Sequence, residues 1–184
     1  APVFSMAKLV GVDWFLGPEM KSTGEVMGVD WDFPKALAKA LLAANLNLTK
    51  GMGVLLSIAD TDKSECVSMI RSLLEAKCEL YATEGTAAMI HAMGLPVTMT
   101  TKKLNEGHPN VVDVIENGSV KAVVNTVTGS ANVLRDGFDI RRAAVEKRIP
   151  CFTSLDTARA AVESLLLSEG DYNVQPTVNY LKPH

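Results

Sequence analysis

Two lysines, a set of threonines and one asparagine recur just after the apolar runs of this sequence, and their shared chemistry is anion binding. Lys63 and Lys103 offer ammonium groups, Thr83, Thr86, Thr126 and Thr128 offer hydroxyls, and Asn125 offers an amide. Gly85, between two threonines, lets the backbone come close to a ligand. Ammonium, hydroxyl and backbone N–H donors together suit a phosphate monoester. What is missing is equally informative. Neither a Gly-x-Gly-x-x-Gly nor a Gly-Lys-Ser/Thr string occurs, which argues against dinucleotide binding and triphosphate hydrolysis. His91, His108 and His184 have no metal spacing and no evident acid partner, and Asp60, Asp62, Asp113 and Asp136 are paired with no nucleophile. Cys66, Cys78 and Cys151 lie far apart and read as reduced thiols of a cytosolic protein. The inventory points to binding rather than turnover, with no metal.

Each donor needs an element to hold it. A β-type run over 78–82 leads into Thr83-Glu84-Gly85-Thr86, and helix formers follow over 87–93. Such a strand–turn–helix junction aims free N–H groups and a positive dipole end outward, a ready anion site. The plainer role for Thr83 or Thr86 is to cap the helix. Lys63 sits at another expected helix start, where a cation is unfavourable unless an anion lies between it and the dipole.

Around these residues the pattern is regular. Residues 54–58 are continuously apolar, the mark of a strand covered on both faces. Cys66, Met69, Ile70, Leu73 and Leu74 form a helical stripe, and Gly94 stops the next helix. A short strand over 96–100 contains Pro96 and so belongs near an edge. A polar loop over 101–110, a helix over 111–117, a strand over 121–125 and a long loop over 129–137 come next. They are followed by a helix over 138–148, a minimal strand over 151–153 and a final helix over 156–167 with Ala160, Ala161, Leu165 and Leu166 buried. The tail from Gly170 shows little pattern. This alternation predicts an α/β fold: a three-layer, open parallel sheet of about five strands with right-handed crossovers. Ligands of such sheets bind outside the carboxyl ends of the strands, where the loops holding Lys63, Thr83–Thr86, Lys103 and Asn125–Thr128 converge.

A chain of 184 residues can bury a real core, and 47% hydrophobic with 21% charged residues is the composition of an ordinary globular protein. A net charge of −3 and 5% aromatic residues exclude a basic or base-stacking nucleic-acid surface. No apolar run reaches membrane length and no signal-peptide pattern opens the chain; Ala-Pro-Val-Phe-Ser-Met reads like the middle of a longer protein. Residues 1–50 differ from the rest: turn signals punctuate 10–28, and a helix begins near Asp32 with Pro34 in its first turn and Phe33, Leu37 and Leu41 on one stripe. Residues 45–50 read as a polar linker.

The string Leu16-Gly17-Pro18-Glu19-Met20-Lys21-Ser22-Thr23-Gly24-Glu25-Val26-Met27-Gly28 closely resembles the segment closing the second ATP-grasp unit of the carbamoyl-phosphate synthase large chain. Residues 54–167 resemble the carboxy-terminal regulatory domain of the same family, of methylglyoxal-synthase-like, Rossmann-like fold. Ala82-Thr83-Glu84-Gly85-Thr86, Val124-Asn125-Thr126, the run from Arg135 to Arg142 and the run from Ile149 to Ala158 carry this likeness. The resemblance implies three parts: 1–50, the tail of the preceding ATP-grasp synthetic domain with a linker helix; 51–169, the regulatory domain; and 170–184, a tail.

The family makes carbamoyl phosphate from bicarbonate, ammonia and two ATP for pyrimidine and arginine biosynthesis, in the cytoplasm, with a glutaminase small chain supplying ammonia. The resemblance implies that ATP, Mg2+ or Mn2+ and K+ belong to the synthetic domains and no cofactor to this stretch, which is not itself catalytic. In bacterial members this domain binds uridine monophosphate as inhibitor and inosine monophosphate as activator, and ornithine binds at its border with the synthetic domain. Carried over by motif, effector phosphate binding falls to Lys63, Thr83, Gly85, Thr86, Lys103, Asn125 and Thr126, nucleoside binding to Asp136, and the ornithine border to Leu16 and Thr153. Departures from the family pattern are Val127 for a threonine, Ser130 for an arginine and Cys151 for a tyrosine. Two alternatives stand beside this reading. One is a small phosphate-ester enzyme of the same fold, although the catalytic segments of methylglyoxal synthase and inosine monophosphate cyclohydrolase are missing. The other is a domain serving mainly to assemble large-chain oligomers.

Overall fold

The protein was analysed as a computed structural model, which describes residues 25–46, 48–102, 107–126, 137–166 and 174–180. At its centre is strand β1 (Gly53–Ser57), buried along its whole length. Leu55 faces one side of the sheet and Val54 and Leu56 the other, so both faces must be covered. Strand β4 (Ala122–Asn125) is buried throughout for the same reason. With β2 (Glu79–Thr83), β3 (Thr98–Thr100) and β5 (Cys151–Phe152) they form a five-stranded sheet of order β3-β2-β1-β4-β5, every neighbouring pair parallel. The α/β class and the strand count follow the sequence pattern, and β3 lies at an edge; it begins only at Thr98, however, so Pro96 precedes the strand and is not what places it there.

Helices α2 (Val67–Glu75), α3 (Glu84–Ala92) and α6 (Leu155–Leu166) cover one face, where Met69, Ile70, Leu73, Ile90, Ala158 and Val162 meet Val54, Leu56, Leu80 and Val124. Helices α4 (Val111–Glu116) and α5 (Phe138–Glu146) cover the other, where Val111, Val114, Ile115 and Ile140 meet Leu55 and Val123. The molecule therefore has three layers. Helix α1 (Phe33–Ala43) lies outside them against α6. It begins as expected: the Asp32 carboxylate accepts from Lys35 N at 3.0 Å, and Pro34 occupies the first turn.

Four expectations shift. Residues 83–86 are not a turn: β2 runs to Thr83 and α3 starts at Glu84, so Gly85 and Thr86 lie in the helix's first turn. First-turn N–H groups have no intrahelical partner and so are open to other acceptors. Lys63 is not in the first turn of α2 either, because a short 3-10 turn (Asp60–Asp62) intervenes and α2 begins only at Val67. The buried stripe of α6 is Leu155, Ala158, Ala161, Val162 and Leu165; Ala160 is half-buried and Leu166 exposed, a rotation of the inward face. Lastly, the tail has structure. A turn of helix α7 (Thr177–Tyr180) brings the Tyr180 ring within 5.2 Å of the Trp31 ring. Most of the 10–28 and 129–137 stretches lies outside the described residues.

Candidate functional site

The chain runs outward from β1 through β2 to β3, then returns to start β4 on the opposite side of β1. That reversal opens a crevice beyond the carboxyl ends of β1 and β4, the usual ligand position in an open α/β sheet. Ser57 and Asn125 stand side by side there in register. Thr126 N donates to the Ser57 carbonyl at 3.1 Å. The loop leaving β1 is held from both sides by hydroxyls: Ile58 N donates to Thr86 Oγ1 at 3.1 Å and Ala59 N to Thr126 Oγ1 at 2.9 Å. Thr83 Oγ1 lies 3.4 Å from Thr86 Oγ1. All of these polar side chains are buried. The hydroxyls that accept from the loop retain their own hydrogens as donors.

Helix α3 meets this crevice at its positive end. Thr83, the residue before it, makes no side-chain cap hydrogen bond, so the capping role open to it in the sequence is not the one it plays. Thr86 likewise spends its oxygen on Ile58 rather than on the helix end. Above this first turn lies a cation. A Cβ added at Gly85 would lie 3.3 Å from Lys63 Nζ, so the ammonium rests on the bare glycine. Lys63 reaches this position while paired with Asp60 at 2.7 Å. The hydrogen bond and charge of Lys63 hold the exposed Asp60 carboxyl below the usual carboxylate range. On the other flank, Glu84 Oε1 accepts from Lys102 N at 3.2 Å and ties the exit of β3 to the same helix end. The arrangement gathers an ammonium, a helix N-terminus, hydroxyls and an amide on one rim of the sheet. Chemically it can hold a compact oxyanion.

The family model described as MGS-like domain matches residues 65–153. This part of the chain is similar to MGS-like domains. Over 180 residues, 98% of its length, the chain is also 55% identical to the carbamoyl phosphate synthase large chain of Thermomicrobium roseum. It spans 17% of that relative's length.

The crevice brings together six of the residues nominated from sequence: Lys63, Thr83, Gly85, Thr86, Asn125 and Thr126. Thr153 follows β5, one strand beyond β4, and is half-buried. Leu16, Lys103 and Asp136 lie outside the described residues, as does Thr128. Burial pushes the Cys66 and Cys78 thiols up, which keeps them protonated and poor nucleophiles. Among the described residues no cluster of His, Cys, Asp or Glu could hold a metal ion, and no helix is long and apolar enough to cross a membrane.

Two features escaped the sequence. His108 does have an acid partner: its Nδ1 meets the Asp113 carboxylate, which also accepts from Asn110 N at 2.9 Å as half of a capping box on α4. Five residues separate the pair, and only the chain's path around Pro109 joins them. The other is Arg141, 1% exposed, whose Nη1 donates to Asn125 Oδ1 at 2.7 Å. Its signal was available, a cation set between Ile140 and Ala144 on the buried arc of α5.

Proposed function

We propose that the chain is the allosteric nucleotide-monophosphate-binding domain of a carbamoyl-phosphate synthase large chain, and that its crevice takes the phosphate of the effector. In this reading uridine and inosine monophosphate are the effectors. Lys63, the first turn of α3 and Lys103 hold the phosphate with Thr83, Thr86, Asn125 and Thr126, and Asp136 meets the nucleoside. Ornithine binds at the border with the synthetic domain, near Leu16 and Thr153. The site controls carbamoyl phosphate synthesis, for pyrimidines and arginine, by synthetic domains that use ATP, Mg2+ or Mn2+ and K+ and receive ammonia from the glutaminase small chain.

One observation carries the reading: the Lys63 ammonium rests on Gly85 at the positive end of α3. A cation and a helix N-terminus repel each other, and an anion bound between them turns both contacts favourable. The likeness of nearly the whole chain to a carbamoyl phosphate synthase large chain supports the choice of a nucleotide effector. Titration calorimetry of the 184-residue chain with uridine and inosine monophosphate tests it. Heat of binding at or below millimolar ligand is expected, and Lys103→Ala should weaken it by about 1.5–3 kcal/mol, the range for a hydrogen bond to a charged group. A folded chain that binds neither nucleotide contradicts the proposal.

A further inference from the structure

Arg141 heads the largest side chains buried almost completely in the described residues, and it lies on α5, which packs against β4 and β5. A guanidinium carries donors only, so the Asn125 atom it meets at 2.7 Å must be the amide oxygen. That contact, shorter than the 3.4 Å hydrogen bond Nδ2 donates to the Ser57 carbonyl and demanding the same orientation, fixes a side chain whose two ends are nearly the same shape. With its oxygen turned to α5, Asn125 turns its NH2 toward the crevice, where Nδ2 lies 3.4 Å from the Ser57 carbonyl. The opposite orientation would set two sets of N–H donors against each other at Arg141 and present an acceptor to any anion.

The backbone makes room for this contact at one point. A Cβ on Gly137 would lie 2.3 Å from Arg141 Nη1 and 2.7 Å from Asn125 Oδ1. Gly137 has φ −87° and ψ −7°, a conformation open to other residues, so the position needs glycine's small size.

We infer that Arg141 is a positioning residue of the anion site: it holds the Asn125 amide with its N–H donors facing the effector phosphate, and Gly137 is the gap through which the guanidinium reaches it. The ligand part of this inference rests on the phosphate-site reading above. Arg141 itself touches no effector and acts through Asn125.

The test uses Gly137→Ala, which leaves every polar group in place and obstructs the approach of the Arg141 guanidinium to Asn125. Two readouts are taken on the 184-residue chain after thermal melting shows it folded. The first is the Asn125 side-chain NH2 pair in 1H–15N spectra without ligand, identified by its loss in Asn125→Ala. The second is calorimetric affinity for uridine monophosphate. Gly137→Ala should move the NH2 resonances and weaken binding on the order of tenfold, the loss of one ordinary hydrogen bond. In an Asn125→Ala background it should change affinity by less than about twofold, because sites acting as one unit are not additive. If Gly137→Ala does not fold, Arg141→Lys, which keeps the charge but loses the planar fork, is read the same way. Unchanged resonances and affinity overturn the inference. So does an equal loss with and without Asn125, which would mark a general disturbance. If the unsubstituted chain binds no nucleotide, the phosphate-site reading falls on its own, and the resonances alone decide whether Arg141 sets the amide.

Discussion

An ammonium group laid over the first turn of a helix is electrostatically unfavourable unless negative groups lie beside it. Lys63 sits in that position, steadied by Asp60 and resting where Gly85 has no side chain. This separates two properties of Gly85 that are usually confused. Alanine is the better helix former, so Gly85→Ala should raise thermal stability, by up to about 1 kcal/mol. The same methyl would press on Lys63 Nζ at 3.3 Å and shift the ammonium off the helix end, so phosphate affinity should fall. Melting curves and calorimetry on one variant read both signs. A Gly85→Ala protein that is more stable and binds as before would remove the Lys63–Gly85 contact from the site. The residues themselves were legible from sequence because their types are; Lys63 was found for a partly mistaken reason. It was expected to open a helix of its own, whereas the 3-10 turn after β1 carries it to the start of a different one.

At the level of elements, what the sequence disclosed depends on how local the cause is. Strands β1 and β4 are readable because a strand covered on both faces shows a run of consecutive apolar residues, broken here only at Ser57 and Asn125 on the site's rim. The start of α1 was readable because its cap lies three residues from the group it caps. The face of α6 was misjudged because Ala and Leu recur all round it, and only packing on α1 and α2 selects Val162 over Leu166. The junction at Thr83 reads as a turn in the sequence because glycine and threonine favour turns, while the end of β2 and the start of α3 leave no residue for one. Helix α4 offers a direct check of element-level reasoning. Asn110 accepts from Val112 N at 2.9 Å and Asp113 N at 3.0 Å, so Asn110→Ala should cost about 1 kcal/mol in urea unfolding. Asp113 is held below the ordinary carboxylate value by the Asn110 N–H and by His108. A lowered pKa stabilises the fold above the unfolded-state value, about 3.9, and the gain disappears as pH falls through the folded-state value. Asp113→Asn should therefore be less stable than the parent at neutral pH and lose less stability on acidification below about pH 4. An acid limb identical to the parent's would show that the Asp113 contacts are not felt in solution.

For the whole molecule, the described ends meet on α1. Lys39 Nζ pairs with Asp30 at 2.9 Å and donates to Val29 O at 2.8 Å and Tyr180 Oη at 2.9 Å, joining residues before and after the sheet. Gly28 lies against the helix, where a Cβ would fall 1.9 Å from Ala36 O, so the segment before α1 is seated on its backbone. The hydrogen bond from Lys39 holds the Asp30 carboxyl down, and this stabilisation is lost as pH falls below the unfolded value near 3.9. Burial opposes the Lys39 ammonium, yet its bonds to Tyr180 and Asp30 hold its pKa up, and that stabilisation is lost as pH rises above about 10.4. Trp31 fluorescence should report a docked tail between those limits and release beyond them, with Lys39→Met undocked at every pH. A parent-like signal from Lys39→Met would dissolve this junction. None of it was legible in sequence, because 141 positions separate Lys39 from Tyr180. The sheet order was hidden for a similar reason: alternation of strands and helices dictates parallel pairing but not which side of β1 takes β4. Yet that choice creates the crevice on which the functional reading depends. Titrating uridine monophosphate into the 15N-labelled chain and following the backbone amides of Glu84, Gly85 and Thr86 tests that reading most directly. Large, saturable downfield shifts are expected at these three first-turn amides, as a phosphate accepts from them, and their loss in Lys63→Ala. Saturable binding that leaves the three amides unmoved would contradict it.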